Sequence, residues 1–296
     1  MLPKPTVLNN IISFDIQNLY HKFNINWKLN PKVNILFGVN GSGKTTILEI
    51  INFVFNYNEL GKAEKSYTLK KLKYKNCIVS IKFNEGEEII YDYKSNNLGK
   101  TRFSNINKIN NFDVLSKPKG TSTTLLDHKL DHLIYKKVND VSFTFLDYRL
   151  KHLAATNTTA TKIESYQNKI SAFYKLVNEY FKETGKEIQI KESTNSIHFR
   201  LKNSDEFIST YDLSAGEKQL LIILFTLFLQ DNEPSVLLLD EPDISLHIKW
   251  QHRLIDSMQA LNPNCQLIIT THSPSLFGKG WGENIVRTED LFLNDR

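Results

Sequence analysis

The chain has 296 residues, 41% of them hydrophobic, which is enough to bury a core in one large α/β domain or two modest ones and argues against disorder. Its 37 Lys and Arg against 32 Asp and Glu leave a net charge of +5, which permits contact with nucleic acid but falls well short of a dedicated DNA-binding module. Cys77 and Cys265 lack metal-ligand spacing and read as buried thiols of a reducing compartment, and the longest apolar run, Leu220 to Leu229, is too short to cross a bilayer, so a cytoplasmic protein without a membrane partner is expected.

From Ile11 to Leu36 apolar and polar residues alternate in several places, with Asn30-Pro31 between two such runs, as strands joined by a turn would. The short apolar run VNILFG leads into Gly38-Val39-Asn40-Gly41-Ser42-Gly43-Lys44-Thr45, which matches G-x-x-x-x-G-K-[ST], and TTILEIINFVF then carries Ile47, Leu48, Ile50, Ile51 and Val54 at helical spacing. Strand, glycine-rich loop and helix in that order are the setting in which this pattern binds phosphate. The glycines let consecutive amides face the anion, and the helix N-terminus adds its positive end. Asn40 to Thr46 are the candidate binding residues, with Lys44 expected to reach the β- and γ-phosphates and Thr45 to ligate Mg²⁺ through its hydroxyl.

Between Cys77 and Tyr93 two alternating runs flank Asn84-Glu85-Gly86, a hairpin signal. Upstream of it the lysines 62, 65, 70, 71, 73 and 75 form the best candidate surface for DNA, weighed against an ordinary solvated face. From Lys94 to Lys119 the chain is rich in Asn, Ser and Lys and reads as loop. Asn157 to Glu183 has an apolar stripe at a period near 3.6, so a helix is expected, ended by Gly185, with a strand pair following in EIQIKES and SIHFRLK. Leu213-Ser214-Ala215-Gly216-Glu217-Lys218-Gln219 opens an apolar helix, so a hydroxyl and a glycine amide stand at another anion-attracting N-terminus.

Val236 to Leu239 is a buried-type strand that ends in Asp240-Glu241. Beside a phosphate loop the first acid is expected to hold Mg²⁺ and the second to orient and deprotonate the attacking water. A second buried-type strand, Gln266 to Ile269, ends at Thr270-Thr271-His272, and the strand-tip imidazole can sense a γ-phosphate or the water. Lys44, Glu241 and His272 are thus the candidate catalytic set.

The phosphate loop, LSAGEKQ, LLLDEPD and the strand-tip His272, in that order, resemble the ABC-type ATPases. The resemblance implies an α/β P-loop fold, with a central mostly parallel sheet, an antiparallel β subdomain and an inserted helical lobe. It places the catalytic lobe at residues 1–95 and 205–296 and the inserted lobe at 96–204. It also implies a homodimer with ATP and Mg²⁺ sandwiched between two heads, Ser214 and Gly216 of one facing the phosphates on the other. LSAGEKQ in place of LSGGQ, DEPDISLH followed by Trp250-Gln251, and THSPSLF point to the SMC, RecF and OLD-like branch, which includes DNA-repair ATPases and the ATPase components of Septu-type and retron-associated antiphage modules. The usual coupling glutamine is not evident, and Arg149 is the alternative candidate. Neither a long coiled coil nor the C-terminal nuclease domain of full OLD proteins is seen, so a separate effector, a nuclease or toxin, is expected. A nucleotide-held scaffold or inhibitor of a toxic partner, and a transporter subunit, are the alternatives.

Overall fold

The computed structural model describes residues 10–20, 22–57, 60–61, 65, 77–84, 86, 88–92, 97–98, 106–109, 123–135, 144–153, 160–191, 196–204, 206–278 and 280–293. These form two compact units, one from residues 1–111, 233–243 and 264–296, the other from 112–232 and 244–263. In chain order the elements are β1 (Ile11–Leu19), β2 (Phe23–Lys28), β3 (Val33–Phe37), α1 (Lys44–Asn56), β4 (Ile78–Phe83), β5 (Glu88–Asp92), β6 (Asn97–Leu98) and β7 (Ile106–Ile109). There follow α2 (Leu125–Ile134), α3 (Phe145–Leu153), α4 (Ala160–Phe181), β8 (Lys186–Lys191), β9 (Ser196–Leu201), β10 (Phe207–Ile208), α5 (Ala215–Leu229) and β11 (Ser235–Asp240). The last are α6 (Ile248–Leu261), β12 (Cys265–Thr271), β13 (Ile285–Arg287), α7 (Thr288–Leu291) and β14 (Phe292–Leu293).

Among the described residues the first unit has two sheets. One is antiparallel, in the order β14-β2-β1-β4-β5-β6; the other runs β13-β3-β12-β11-β7 with every pair parallel. Strands β11 and β12 are buried along their whole length, which is why each reads as an unbroken apolar run, whereas β4 and β5 alternate buried and exposed residues. Ile47, Leu48, Ile50, Ile51 and Val54 of α1 are fully buried in a core shared with Phe14, Ile16 and Trp27 of the antiparallel sheet and Leu238 and Ile268 of the parallel one. Gln266, fully buried on β12, accepts from the Ile11 amide at 2.9 Å and donates to the Ile11 and Asn30 carbonyls, each at 2.8 Å, so its amide group is satisfied where water cannot reach.

Residues 106–109, read from sequence as loop, form an edge strand of the parallel sheet, Ile106 pairing with Val236 and Ile109 with Leu239. Asn-Lys at its centre has little intrinsic strand preference; the exposed backbone edge of β11 supplies the reason for its conformation. Cys77 and Cys265 are buried free thiols, and burial pushes them up to about 12 and about 11.

The second unit packs α2 to α6 with the antiparallel sheet β10-β9-β8. Helix α5 is buried nearly all round, so its sequence lacks a polar face. Phe225 and Phe228 on it meet Phe173 and Phe145 with ring centroids 4.6–5.5 Å apart. Helix α4 and Gly185 lie where the sequence puts them, Gly185 at φ 66 in the left-handed region. The unit boundaries differ from those expected. Helix α5, which LSAGEKQ opens, belongs with α2 rather than with the glycine-rich loop, because Lys218 forms a 2.7 Å ion pair with Asp127 and Lys186 one of 2.7 Å with Glu217. Helix α6 joins the same unit through Tyr180 and Ser257, whose hydroxyls lie 2.9 Å apart.

Candidate functional site

The parallel sheet brings the tips of β3, β11 and β12 side by side, since Leu36 pairs with Thr270 and Thr270 with Asp240. Residues more than two hundred positions apart in sequence thereby meet at one edge. Beyond β3 the loop turns through Gly41 at φ 81 and Gly43 at φ 94, conformations that side chains rarely adopt. Helix α1 starts at Lys44 with no side-chain cap and no acid in its first turn, so no side chain of its own first turn offsets its positive N-terminus.

Lys44 is 4% exposed, and its ammonium donates to the carbonyls of Gly38 at 2.9 Å and Val39 at 3.1 Å. It also lies 3.1 Å from Glu241 Oε1. Thr45 donates its hydroxyl to Asp240 Oδ1 at 3.1 Å, and Thr270 donates to the same oxygen at 2.6 Å. A hydroxyl and a carboxylate side by side are the hard oxygen donors that Mg²⁺ prefers, so Thr45 and Asp240 fit that ion and would hold it. Asn40 and Gly41 are exposed at the loop tip, Ser42 is half-buried, and Thr46 Oγ1 lies 3.4 Å from the Tyr20 hydroxyl.

Glu241 sits at φ 48, left-handed backbone for a residue with a side chain, the kind of strain that folds retain at sites with work to do. Its amide stays on the sheet, donating to the Thr270 carbonyl at 2.9 Å, while its carboxylate accepts from the His272 amide at 3.1 Å and from His272 Nδ1 at 2.6 Å. A carboxylate can only accept, so Nδ1 carries the hydrogen, and Nε2 is the acceptor whenever the ring is neutral. Glu241 is therefore held from two sides, by Lys44 and by His272. Such a carboxylate can take a proton from water once its cationic neighbour turns to another anion.

Sequence reading missed the threonines that hold this edge in place, Thr270 on Asp240 and Thr271 on Asp243, the latter at 2.6 Å. Burial, with a smaller contribution from Glu241, raises Asp243 above the usual carboxylate range against the lowering effect of the Thr271 hydroxyl. Neither threonine carries a motif, so nothing in the sequence marks them.

The structure groups Lys44, Thr45, Asp240, Glu241 and His272 in the first unit and puts Ser214, Gly216 and Arg149 in the second. Ser214 is the N-cap of α5: its hydroxyl accepts from the Glu217 amide at 3.3 Å, and the Glu217 carboxylate accepts from the Ser214 amide at 2.8 Å. Gly216 has a packing reason as well, since a Cβ there would lie 2.2 Å from the Ser245 carbonyl oxygen. Arg149 lies on α3 near Tyr174. Of the six lysines proposed for DNA contact only Lys65 is among the described residues, with its ammonium 4.2 Å from the Tyr57 ring centroid. Among the described residues no helix is long and apolar enough to cross a membrane.

Known structures share this fold. The structure of an SMC head bound to the C-winged helix domain of ScpA superposes with a TM-score of 0.51 at 14% identity, over 94% of this chain and 93% of that one. An SMC head with an extended coiled coil, bound to the C-terminal domain of ScpA derived from Pyrococcus furiosus, gives 0.50 at 13% over the same shares. The α/β P-loop ATPase fold, with a parallel sheet and a separate antiparallel one, is therefore that of an SMC head. In sequence the chain is 26% identical to the Retron Vc95 probable ATPase of Vibrio cholerae over 77% of its own length, and 26% identical to the Septu protein PtuA of Bacillus thuringiensis over 83%. It spans 46% of the Vibrio protein and 67% of the Bacillus one. Residues 118–278, just over half of the chain, match the family described as "AAA domain, putative AbiEii toxin, Type IV TA system", and the chain belongs to that family.

Proposed function

We propose that this protein binds and hydrolyses ATP as a dimeric switch, the ATPase component of a bacterial antiphage defence or DNA-repair complex that works with a separate effector, a nuclease or a toxin. The observation that carries the reading is the meeting of Lys44, Thr45, Asp240, Glu241 and His272 at one sheet edge. In this reading the loop from Asn40 to Thr46 receives the phosphates and Lys44 leaves Glu241 for them. Mg²⁺, when bound, neutralises phosphate charge and is held by Thr45 and Asp240. Glu241 takes the proton of the attacking water, and His272, bonded to it, fixes its orientation. Ser214 and Gly216 contact the nucleotide of a second copy, which makes the active form a cytoplasmic homodimer, and nucleic acid is a candidate trigger. The retron and Septu names of the relatives support the setting.

A second reading, in which bound nucleotide holds a scaffold on a toxic partner with little turnover, draws on the engagement of Glu241 by both Lys44 and His272.

The test uses purified protein carrying Lys44→Ala or Ser214→Ala. Each variant alone is expected to be inactive, and mixing them restores activity, because a mixed dimer keeps one intact composite site. No recovery on mixing would count against the dimer, and a wild-type chain that binds ATP without turning it over favours the scaffold.

A further inference from the structure

Thr288 lies far from every motif, yet it touches the phosphate loop. It is fully buried at the start of α7, directly after β13, whose Arg287 pairs with Phe37 at the end of β3. Its hydroxyl donates to the Phe37 carbonyl at 3.1 Å and accepts from the Ser42 hydroxyl at 3.2 Å. One oxygen thus bridges the last residue of the strand and the third residue before Thr45. The approach is too close for a side chain at the first loop glycine: a Cβ on Gly38 would lie 2.4 Å from Thr288 Oγ1 and 2.8 Å from Ser42 Oγ. At the other end of the loop the Phe292 ring comes within 3.5 Å of where a Gly43 Cβ would be, and it packs edge-on against Phe23 with centroids 5.0 Å apart. Strand β14, which carries Phe292, is itself anchored on β2 through the Phe292 and Ile25 pair.

From this geometry we propose that Thr288 is a positioning residue of the phosphate loop and that the segment Ile285–Leu293 is a strap that sets the affinity for ATP. The inference rests on the ATP-binding reading above. A loop rich in glycine has little conformational preference of its own, so whatever fixes its ends decides how much order must be gained when the phosphates arrive. The Thr288 hydroxyl and the Phe292 ring supply that fixation in advance. Losing it leaves the loop free to wander between its two glycine hinges, and binding must then restore it.

The experiment measures ATP affinity in the presence of Mg²⁺, together with KM and kcat, for wild type, Thr288→Val, Thr288→Ser, Ser42→Ala and the Val/Ala double variant. Valine keeps the shape of threonine and removes the hydroxyl. ATP affinity is expected to fall about tenfold for Thr288→Val, with KM rising in parallel and kcat staying within about threefold, the range expected when one or two buried hydrogen bonds are lost. Serine, which keeps the hydroxyl, should restore most of the affinity. The double variant should be weaker than either single one by less than the product of their effects, because both changes remove the same bond. Equal affinity of Thr288→Val and wild type within twofold, or independent multiplication of the two effects, would overturn the strap. Were Thr288→Val not to fold, Phe292→Leu, which trims the strap and leaves every loop residue intact, decides the question by the same titration: about threefold weaker binding supports the strap, unchanged binding overturns it. Wild-type protein that binds no ATP would overturn the ATP reading itself and the strap with it.

Discussion

Glu241→Gln should move binding and turnover in opposite directions. Glu241 Oε1 lies 3.1 Å from Lys44 Nζ, with the two side chains 10% and 4% exposed, so in the proposed reading a phosphate must compete with a nearly dry carboxylate for the lysine. Two unit charges at that range attract by about 5 kcal/mol at an effective dielectric of about 20, most of which is offset by the cost of desolvating them. Glutamine keeps an oxygen for Lys44 and loses the charge, so about 1–2 kcal/mol of competition disappears and ATP should bind about 5–30-fold tighter. Turnover should fall by about 10²–10⁴, the usual range for losing a general base. Titration with a fluorescent ATP analogue gives the first number and phosphate release at saturating ATP the second. A variant that hydrolyses within threefold of wild type, or that binds ATP more weakly, would refute the assignment of Glu241 as base and as the partner Lys44 must leave.

Asp240→Ala removes the carboxylate beside Thr45, and ATP affinity should become about 10–100-fold less dependent on Mg²⁺, as read by titration with and without the ion. Gly216→Ala pushes a Cβ to 2.2 Å from the Ser245 carbonyl, so the unfolding free energy should drop by about 1–3 kcal/mol or the Ser245 turn must shift, seen as a lower urea midpoint. Lys186→Met strands the Glu217 carboxylate, which has no exposed side-chain area, and should cost about 2–4 kcal/mol; adding Glu217→Gln should recover part of the loss in the same assay. Glu217 is pushed up by burial but held below the usual carboxylate range overall by Lys186, Thr184 and the Ser214 amide, and Asp127 likewise by Lys218 and Thr124. Both bind protons less readily folded than unfolded, so their stabilisation is complete at neutral pH and is lost as pH falls below about 4. Urea midpoints should hold from pH 7 to about 5 and then decline, with a shallower decline in the Lys186→Met/Glu217→Gln protein.

Much of the candidate site's grouping at this sheet edge was legible from local pattern. The phosphate loop announces itself because glycines, lysine and a hydroxyl must stand at fixed offsets to fold around an anion, and Asp240-Glu241 does because acids seldom close a fully apolar strand. His272 was legible by position, at the tip of the second such strand. Its hydrogen bond to Glu241, rather than to a phosphate alone, needed the strand pairing to be known. The same holds for the residues that steady the site. Thr270, Thr271 and Thr288 are ordinary strand or turn residues in sequence, and only the parallel register places their hydroxyls against Asp240, Asp243 and the phosphate loop.

The distance between the phosphate loop and LSAGEKQ also divides between the two levels. Both read from the sequence as candidate anion-binding helix starts, since caps and glycines act over three or four residues. Their separation into two compact units does not follow from it, and neither does the attachment of residues 244–263 to the second, because both depend on long-range pairs such as Lys218 with Asp127, Lys186 with Glu217 and Tyr180 with Ser257. Strand β7 makes the same point from the opposite side: Ile106-Asn-Lys-Ile109 has no local reason to be extended, and the free hydrogen-bonding edge of β11 makes it so. The sequence by itself determined which groups are candidates for chemistry, through motifs whose physics is local. The tertiary structure decided which residues share a surface and which group each charge must leave, because hydrogen bonds and ion pairs between distant segments exist only once the sheet has set their register.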